Sequence, residues 1–237
     1  MAAVTADPRP PGVLEGLGRA VILLGPPGAG KGTQAQRIAQ RYRLPHLSTG
    51  DMFRDNIQRG TELGRKAKPL MERGELVPDE IVLGMVEDRI NQPDCARGFV
   101  FDGFPRTLRQ ADDLERICKA NKLGCTIVLH MVVNPALLMR RLTGRRICKG
   151  AGHIYNVYER PPKIEGICDV DGSELIHRPD DSEGVIGERL AAYERQTKPL
   201  VEYYTVRKLL SPVDGMAVAD AVTESIEKIL DRAKAAK

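Results

Sequence analysis

The chain has no tryptophan, and its aromatic content is only 4%. A surface that stacks successive nucleobases on aromatic rings is therefore a poor expectation. Cysteine is sparse too: Cys95, Cys118, Cys125, Cys148 and Cys168 are odd in number and far apart. That usage disfavours a disulfide framework and points to a reducing setting, with the cytoplasm as the expected location. Long hydrophobic runs are missing. The longest clean apolar run near the start, Ala20 to Leu24, is far too short to span a bilayer, so no membrane partner is expected. Neither sign of charge dominates, with 36 basic against 32 acidic residues and a net charge of +4. This balance suits anionic small molecules but lacks the basic excess of a nucleic-acid binder. No heptad pattern suggests a coiled coil, and a monomer is expected.

What is present is an ordinary composition for a protein with a real core: 42% hydrophobic and 29% charged residues in 237. That length suits one core carrying inserted subdomains. Residues 1–18, rich in Pro and Gly, read as a flexible leader and not as a secretory signal. The run Arg19–Leu24 predicts a buried strand, cut off by Gly25-Pro26-Pro27-Gly28. A helix follows over Lys31–Arg43, with Ala35, Ile38, Ala39 and Tyr42 on one face. Further buried strands are expected at Gly98–Asp102 and Cys125–Val133, each leading into a helical pattern. The stripe Val222, Ile226, Ile229, Leu230 and Ala233 predicts a closing helix over 221–233. Together these predict an α/β fold with a parallel sheet flanked by helices. Two segments break the alternation. Residues 49–78 read as a helical lobe punctuated by Gly60, Gly74 and Pro78, and residues 144–181 as a β-rich flap around Pro161-Pro162.

The stretch Gly25 to Thr33, GPPGAGKGT, carries the phosphate-loop pattern, with Gly32 inserted before the hydroxyl residue. Glycines let successive backbone N–H groups turn onto a polyanion, and the following helix adds its partial positive charge. Lys31 can reach outer phosphates, and Thr33 can meet phosphate or metal-bound water.

Beyond this loop the chain contains HLSTGDMFR at 46–54, GELVPDEIV at 74–82, FDGFPRT at 101–107, RLTGRR at 141–146, RPDD at 178–181 and ERLAAYERQT at 188–197. In this order and spacing the sequence resembles the adenylate kinases of the long, lid-bearing type. The resemblance implies a phosphate-loop core of residues 19–48, 79–143 and 182–237, an AMP-binding lobe of 49–78 and a lid of 144–181. It implies an enzyme that moves a phosphoryl group reversibly from Mg-ATP to AMP, giving two ADP. The ATP side would be formed by Gly28, Ala29, Gly30, Lys31, Gly32, Thr33, Arg141, Arg145, Ile154, Tyr155 and Ala217. The AMP side would be Thr49, Arg54, Glu75, Leu76, Val77, Gly103, Phe104, Pro105, Arg106 and Gln110, joined by Arg178 and Arg189. Lys31, Arg106, Arg141, Arg145, Arg178 and Arg189 would neutralise the moving group, and Asp102 would hold Mg²⁺ through its waters.

The residue chemistry agrees with these roles. Planar guanidiniums offer paired donors to phosphate oxygens and stay charged. The Gln110 amide is both donor and acceptor, as an adenine edge requires. Asp180 and Asp181 read as hinge-side ion-pair partners or as a cap for the helix starting near Glu183. The donor base is held by no readable side-chain code, so ATP and GTP are not distinguished. Related lids can hold zinc through C-x2-C, sixteen residues, then C-x2-C/D. Here those positions are Cys148, Ala151, Cys168 and Asp171. Alanine cannot ligate; His153 offers a substitute, giving Cys148, His153, Cys168 and Asp171, but C-x4-H is not that spacing, so structural zinc is not expected.

Overall fold

A computed structural model describes residues 20–121, 123 and 126–235. The leader expected at 1–18, together with Arg19 and Cys125, lies outside the described residues. Strand β1 (Ala20–Leu24) is wholly buried because it sits in the middle of a five-stranded parallel sheet. Its neighbours are β3 (Phe99–Asp102) and β4 (Thr126–Val132), flanked by β2 (His46–Ser48) and β8 (Leu210–Asp214), giving the order β2-β3-β1-β4-β8.

The two faces of β1 follow from the strand period of two. Ala20, Ile22 and Leu24 join Phe99, Phe101 and Phe104 in one core beneath α4 (Asp79–Ile90), α5 (Leu108–Ala120) and α8 (Pro199–Val206). Val21 and Leu23 join Leu129 and Val213 in the other, against α1 (Lys31–Tyr42) and α9 (Ala219–Ala235). On α9, Val222, Ile226 and Leu230 are fully packed, with Ile229 and Ala233 at the margin, as the stripe predicts. The α1 face also holds, but the helix stops at Tyr42, because Arg43 takes a left-handed conformation (φ 53°) and caps it.

Chain direction across the sheet reverses at β1. Beyond it on one side lie β3 and β2, and on the other β4 and β8. Such a switch point leaves a crevice outside the strands' carboxyl ends, and the Gly25–Gly30 loop opens there. Two insertions border the crevice. One contains α2 (Thr49–Gln58) and α3 (Glu62–Glu72), separated at Gly60. The other follows α6 (Leu138–Thr143) and is a small antiparallel sheet of β5 (Arg145–Cys148), β6 (Ile154–Asn156) and β7 (Leu175–Ile176), in the order β6-β5-β7. Its own core is Cys148, Tyr155, Cys168 and Leu175. After it, a 3₁₀ turn at Pro179–Asp181 leads into α7 (Glu183–Ala192).

Candidate active site

The Gly25–Gly30 loop can hold its shape only with glycine at key points. Gly28 and Gly30 have φ of 84° and 88°, a region that costs any residue with a Cβ. Gly30 is the N-cap of α1 and provides no side chain to satisfy the first helical N–H groups. Those donors, aligned with the helix dipole, remain available to an anion. Lys31 Nζ donates to the carbonyls of Gly25 and Pro26 at 2.7 and 2.8 Å, which folds the ammonium back over the loop.

One cavity of about 730 Å³ runs from this loop to the helical insertion. A smaller recess lined by Phe53, Val77, Val82 and Gln110 opens beside it, sharing Gly103 and Arg106 with the large one. Every residue assigned to the two nucleotide sides or to Asp102's role lines one cavity or the other, except Phe104. Phe104 is only 1% exposed and packs its ring 5.1 Å from Phe101 in the core. Its aromatic bulk fixes the turn from below and presents no side chain to the cavity.

Each cation arrives on a different element. Arg54 comes from α2, which begins where the Ser48 hydroxyl accepts from Asp51 N–H. Arg106 donates through Nε to Gly103 O at 2.8 Å, and the Thr49 hydroxyl reaches the same carbonyl, also at 2.8 Å. Arg141, near the end of α6, pairs with Glu159 at 3.0 Å and donates to Gly215 O at 2.9 Å. Arg145 opens β5, Arg178 precedes the 3₁₀ turn, and Arg189 lies on α7.

Two adjacent carboxylates organise these guanidiniums. Asp180 pairs with Arg178 at 2.8 Å, Arg189 at 3.2 Å and Arg54 at 3.9 Å. Asp181 has no exposed surface and binds Arg145 and Arg189. The ion-pair role expected of this pair is therefore present. The capping role is not, since Ser182 is the N-cap of α7 and no side chain caps it. The importance of Asp181 as a shared anchor was not legible from spacing, because its partners lie 36 and 8 residues away.

The cluster is short of negative charge. Burial brings the Lys31 ammonium down to about 8, with Asp102 opposing and Arg106, Arg189 and Arg145 adding to the fall. Burial and the Arg189 charge likewise bring Arg106 down to about 10, against the pull of Asp102. Burial depresses Arg54 and Arg189 as well. Asp180 resists the upward push of its own burial, and Arg178 and Arg189 hold it far below the usual carboxylate range. A polyanion entering the cavity would offset this excess of positive charge, so the cluster is suited to phosphate groups.

Asp102 ends β3 beside the loop. A Cβ at Gly32 would come within 3.2 Å of its Oδ2 and of Ile154 Cδ1, a tight contact that glycine avoids. His46 Nε2, buried and without a hydrogen-bond partner among the described residues, lies 4.0 Å from the same Oδ2. Asp102 and the Thr33 hydroxyl both line the large cavity. Hard oxygens and an unsatisfied polar neighbour fit hydrated Mg²⁺, which keeps most of its waters. The β-rich insertion reaches over this region, since Gln36 Nε2 donates to Gly152 O at 3.2 Å.

Within that insertion two turns have the same backbone plan. Cys148 N donates to His153 O and Gly152 N to Cys148 O; Cys168 N donates to Ser173 O and Gly172 N to Cys168 O. The two glycines have φ of 71° and 72°. Donor atoms of Cys148, His153, Cys168 and Asp171 all lie within 4.8 Å of one another. Cys148 Sγ is 3.1 Å from Asp171 Oδ2, Cys168 Sγ is 3.3 Å from His153 Nδ1, and His153 Nδ1 is 3.4 Å from Asp171 Oδ2. A tetrahedral zinc site has ligand–ligand edges of roughly 3.3–3.8 Å, so this donor set fits such an ion. Against the burial that pushes it up, the Tyr155 hydroxyl and the N–H groups of Val170 and Asp171 draw the Cys168 thiol below its ordinary range. Ala151 is where spacing alone looks for the fourth ligand; the turn instead brings His153 to that corner.

Among the described residues, no helix is long and apolar enough to cross a membrane. A family model described as adenylate kinase matches residues 23–209. The adenylate kinase of Archaeoglobus fulgidus is 46% identical over 90% of this chain and 99% of its own length. Those of Clostridium novyi and Oceanobacillus iheyensis are 47% and 49% identical, over 89% and 90% of this chain and 98% and 99% of theirs. With a phosphate loop at a sheet switch point, two bordering insertions and a ring of guanidiniums only partly neutralised by carboxylates, this chain belongs to the adenylate kinase family.

Proposed function

We propose that the protein carries out the reversible transfer of a phosphoryl group from Mg-ATP to AMP, giving two ADP. The observation that carries this reading is the single cavity with the Gly25–Thr33 loop at one end, the Thr49–Arg54 helix start at the other, and the guanidiniums between. In this reading the core is 19–48, 79–143 and 182–237, residues 49–78 form the AMP lobe, and residues 144–181 form the lid. A sensor of one nucleotide would need only one end of such a cavity.

The chemistry asks little covalent work of the protein. The acceptor's phosphate oxygen is already a competent nucleophile, so no general base is required. Lys31 and the loop N–H groups follow the outer phosphates of the donor. Arg106, Arg145, Arg178 and Arg189 surround the moving group; Asp180 and Asp181 set the directions of the last three, and the Gly103 carbonyl that of Arg106, before substrate arrives. Charge stabilisation then costs little reorganisation in the transition state. Arg54, Thr49 and the Glu75–Val77 backbone receive the acceptor, and Gln110 meets its base. Arg141, the backbone of Ile154 and Tyr155, and Ala217 border the donor. Asp102 would hold Mg²⁺ through its waters, and the ion would supply neutralisation of the donor phosphates. The lid keeps water from competing as acceptor.

A structural metal in the lid belongs to this reading. Cys148, His153, Cys168 and Asp171 would hold it, and it would tie the two turns together without entering the reaction.

The test is ADP formation with ATP alone, ATP plus AMP, GTP plus AMP and ATP plus UMP, paired with calorimetry on two adenosines joined by five phosphates. Turnover with ATP plus AMP and tight binding of the joined compound are expected. No heat with that compound would overturn the reading.

A further inference from the structure

Behind the acceptor recess lies a carboxylate that touches neither cavity. Asp79, the first residue of α4, is absent from both linings, yet it joins two residues at the start of α5. Its Oδ2 accepts from the Thr107 hydroxyl at 2.9 Å, and its Oδ1 accepts from Gln110 Nε2 at 2.7 Å. On the other side, Gln110 Oε1 accepts from the Arg106 backbone N–H at 2.7 Å. Gln110 is itself only 2% exposed.

An amide is nearly symmetric in shape, and its two ends are told apart only by what they meet. A carboxylate has no proton to donate, and a backbone N–H has no lone pair to offer. Gln110 is therefore oriented from both sides. Turning it over would set oxygen against oxygen and N–H against N–H in a buried place, where unsatisfied polar groups are costly. One amide N–H and one carbonyl lone pair remain for a ligand, in a fixed order.

That order carries information about a purine. Adenine offers an acceptor at position 1 and a donor at position 6. A 6-oxo purine offers the reverse, a donor at position 1 and an acceptor at position 6. A free amide can flip to serve either edge; a locked one serves only one. We propose that Asp79 is a specificity-determining positioning residue, locking the Gln110 amide so that the acceptor site takes a 6-amino purine nucleotide and rejects a 6-oxo one. This rests on the reading above, in which Gln110 meets the acceptor's base.

The experiment compares transfer from ATP to AMP and to inosine monophosphate, which differ only at positions 1 and 6 of the base. Asp79→Asn keeps the side-chain volume but can donate as well as accept, and Asp79→Ala removes the partner. Both should lower the AMP-over-IMP ratio of kcat/KM at least tenfold, mainly through KM for the monophosphate, with KM for ATP changed less than twofold. A purely structural role would lower kcat with both acceptors and leave the ratio alone; a ratio within twofold of the unaltered protein overturns the proposal. Gln110→Ala separates the two levels. If it too leaves the ratio unchanged, the placement of Gln110 on the base falls, and the lock with it. If it collapses the ratio while the Asp79 variants do not, only the lock falls. In the unaltered protein, the Gln110 Nε2 protons followed by ¹⁵N NMR should exchange at least tenfold more slowly than those of exposed Gln58, and equal rates would also overturn it.

Discussion

Asp181, without exposed surface, grips Arg145 through both carboxylate oxygens, at 2.5 and 2.7 Å. Arg189 reaches the same carboxylate at 2.8 Å from another helix. The pair joins the first strand of the antiparallel insertion to the turn that follows it, so one buried anion sets the aim of two cations on separate elements.

Asp181→Asn should therefore destabilise the protein strongly, by about 3 kcal/mol, because two guanidiniums lose a buried counter-charge. Urea unfolding measures it. The loss should shrink when the joined bis-adenosine compound is present at saturation, since its phosphates restore the missing charge. A loss under about 1 kcal/mol without ligand would show that the carboxylate is dispensable.

Lys31→Met should cut turnover by several orders of magnitude with the fold intact by circular dichroism. An effect below tenfold, about 1.4 kcal/mol in the barrier, would remove Lys31 from its role. The lowered pKa adds a pH signature. In the free protein the ammonium is present below about 8 and lost above it. The value of kcat/KM for ATP should be level near neutrality and fall as pH rises through about 8, by about tenfold per unit. Lys31→Arg, whose cation does not titrate there, should remove that fall. A profile flat to pH 9.5 in the unaltered protein would contradict it.

Purified protein should contain close to one equivalent of zinc per chain by elemental analysis. Less than a tenth of an equivalent would exclude a metal at Cys148, His153, Cys168 and Asp171. His153→Ala should lower the zinc content and the melting temperature together, while a chelator should lower the melting temperature of the unaltered protein but not of the variant. Restoring metal with Ala151→Cys in the His153→Ala background should recover both.

Much of the fold could be read directly. β1 is buried throughout, and β3 and β4 are built mainly of apolar residues around their buried centres, so local composition declares them. β8 escaped notice because it is an edge strand: Pro212 sits in it opposite His130, and only Val213 of its five residues is buried. β2 has only three residues, too few for a period to register. The arginines are picked out by the family resemblance of the motifs that carry them, and the phosphate loop is legible for another reason. Phosphate chemistry demands particular residue types at short spacing, and short spacing survives in a linear string.

The sequence by itself determined the α/β class, the phosphate loop and the stripes that bury α1 and α9, since each depends on neighbours within a turn or a strand. Tertiary structure alone decided which groups stand face to face. It put Phe104 in the core, carried Asp181 to Arg145, set Asp79 behind Gln110, and brought His153 into the corner that Ala151 leaves without a ligand. Hydrogen bonds and ion pairs act over about 3 Å in space, whatever the separation along the chain, and only folding converts one distance into the other.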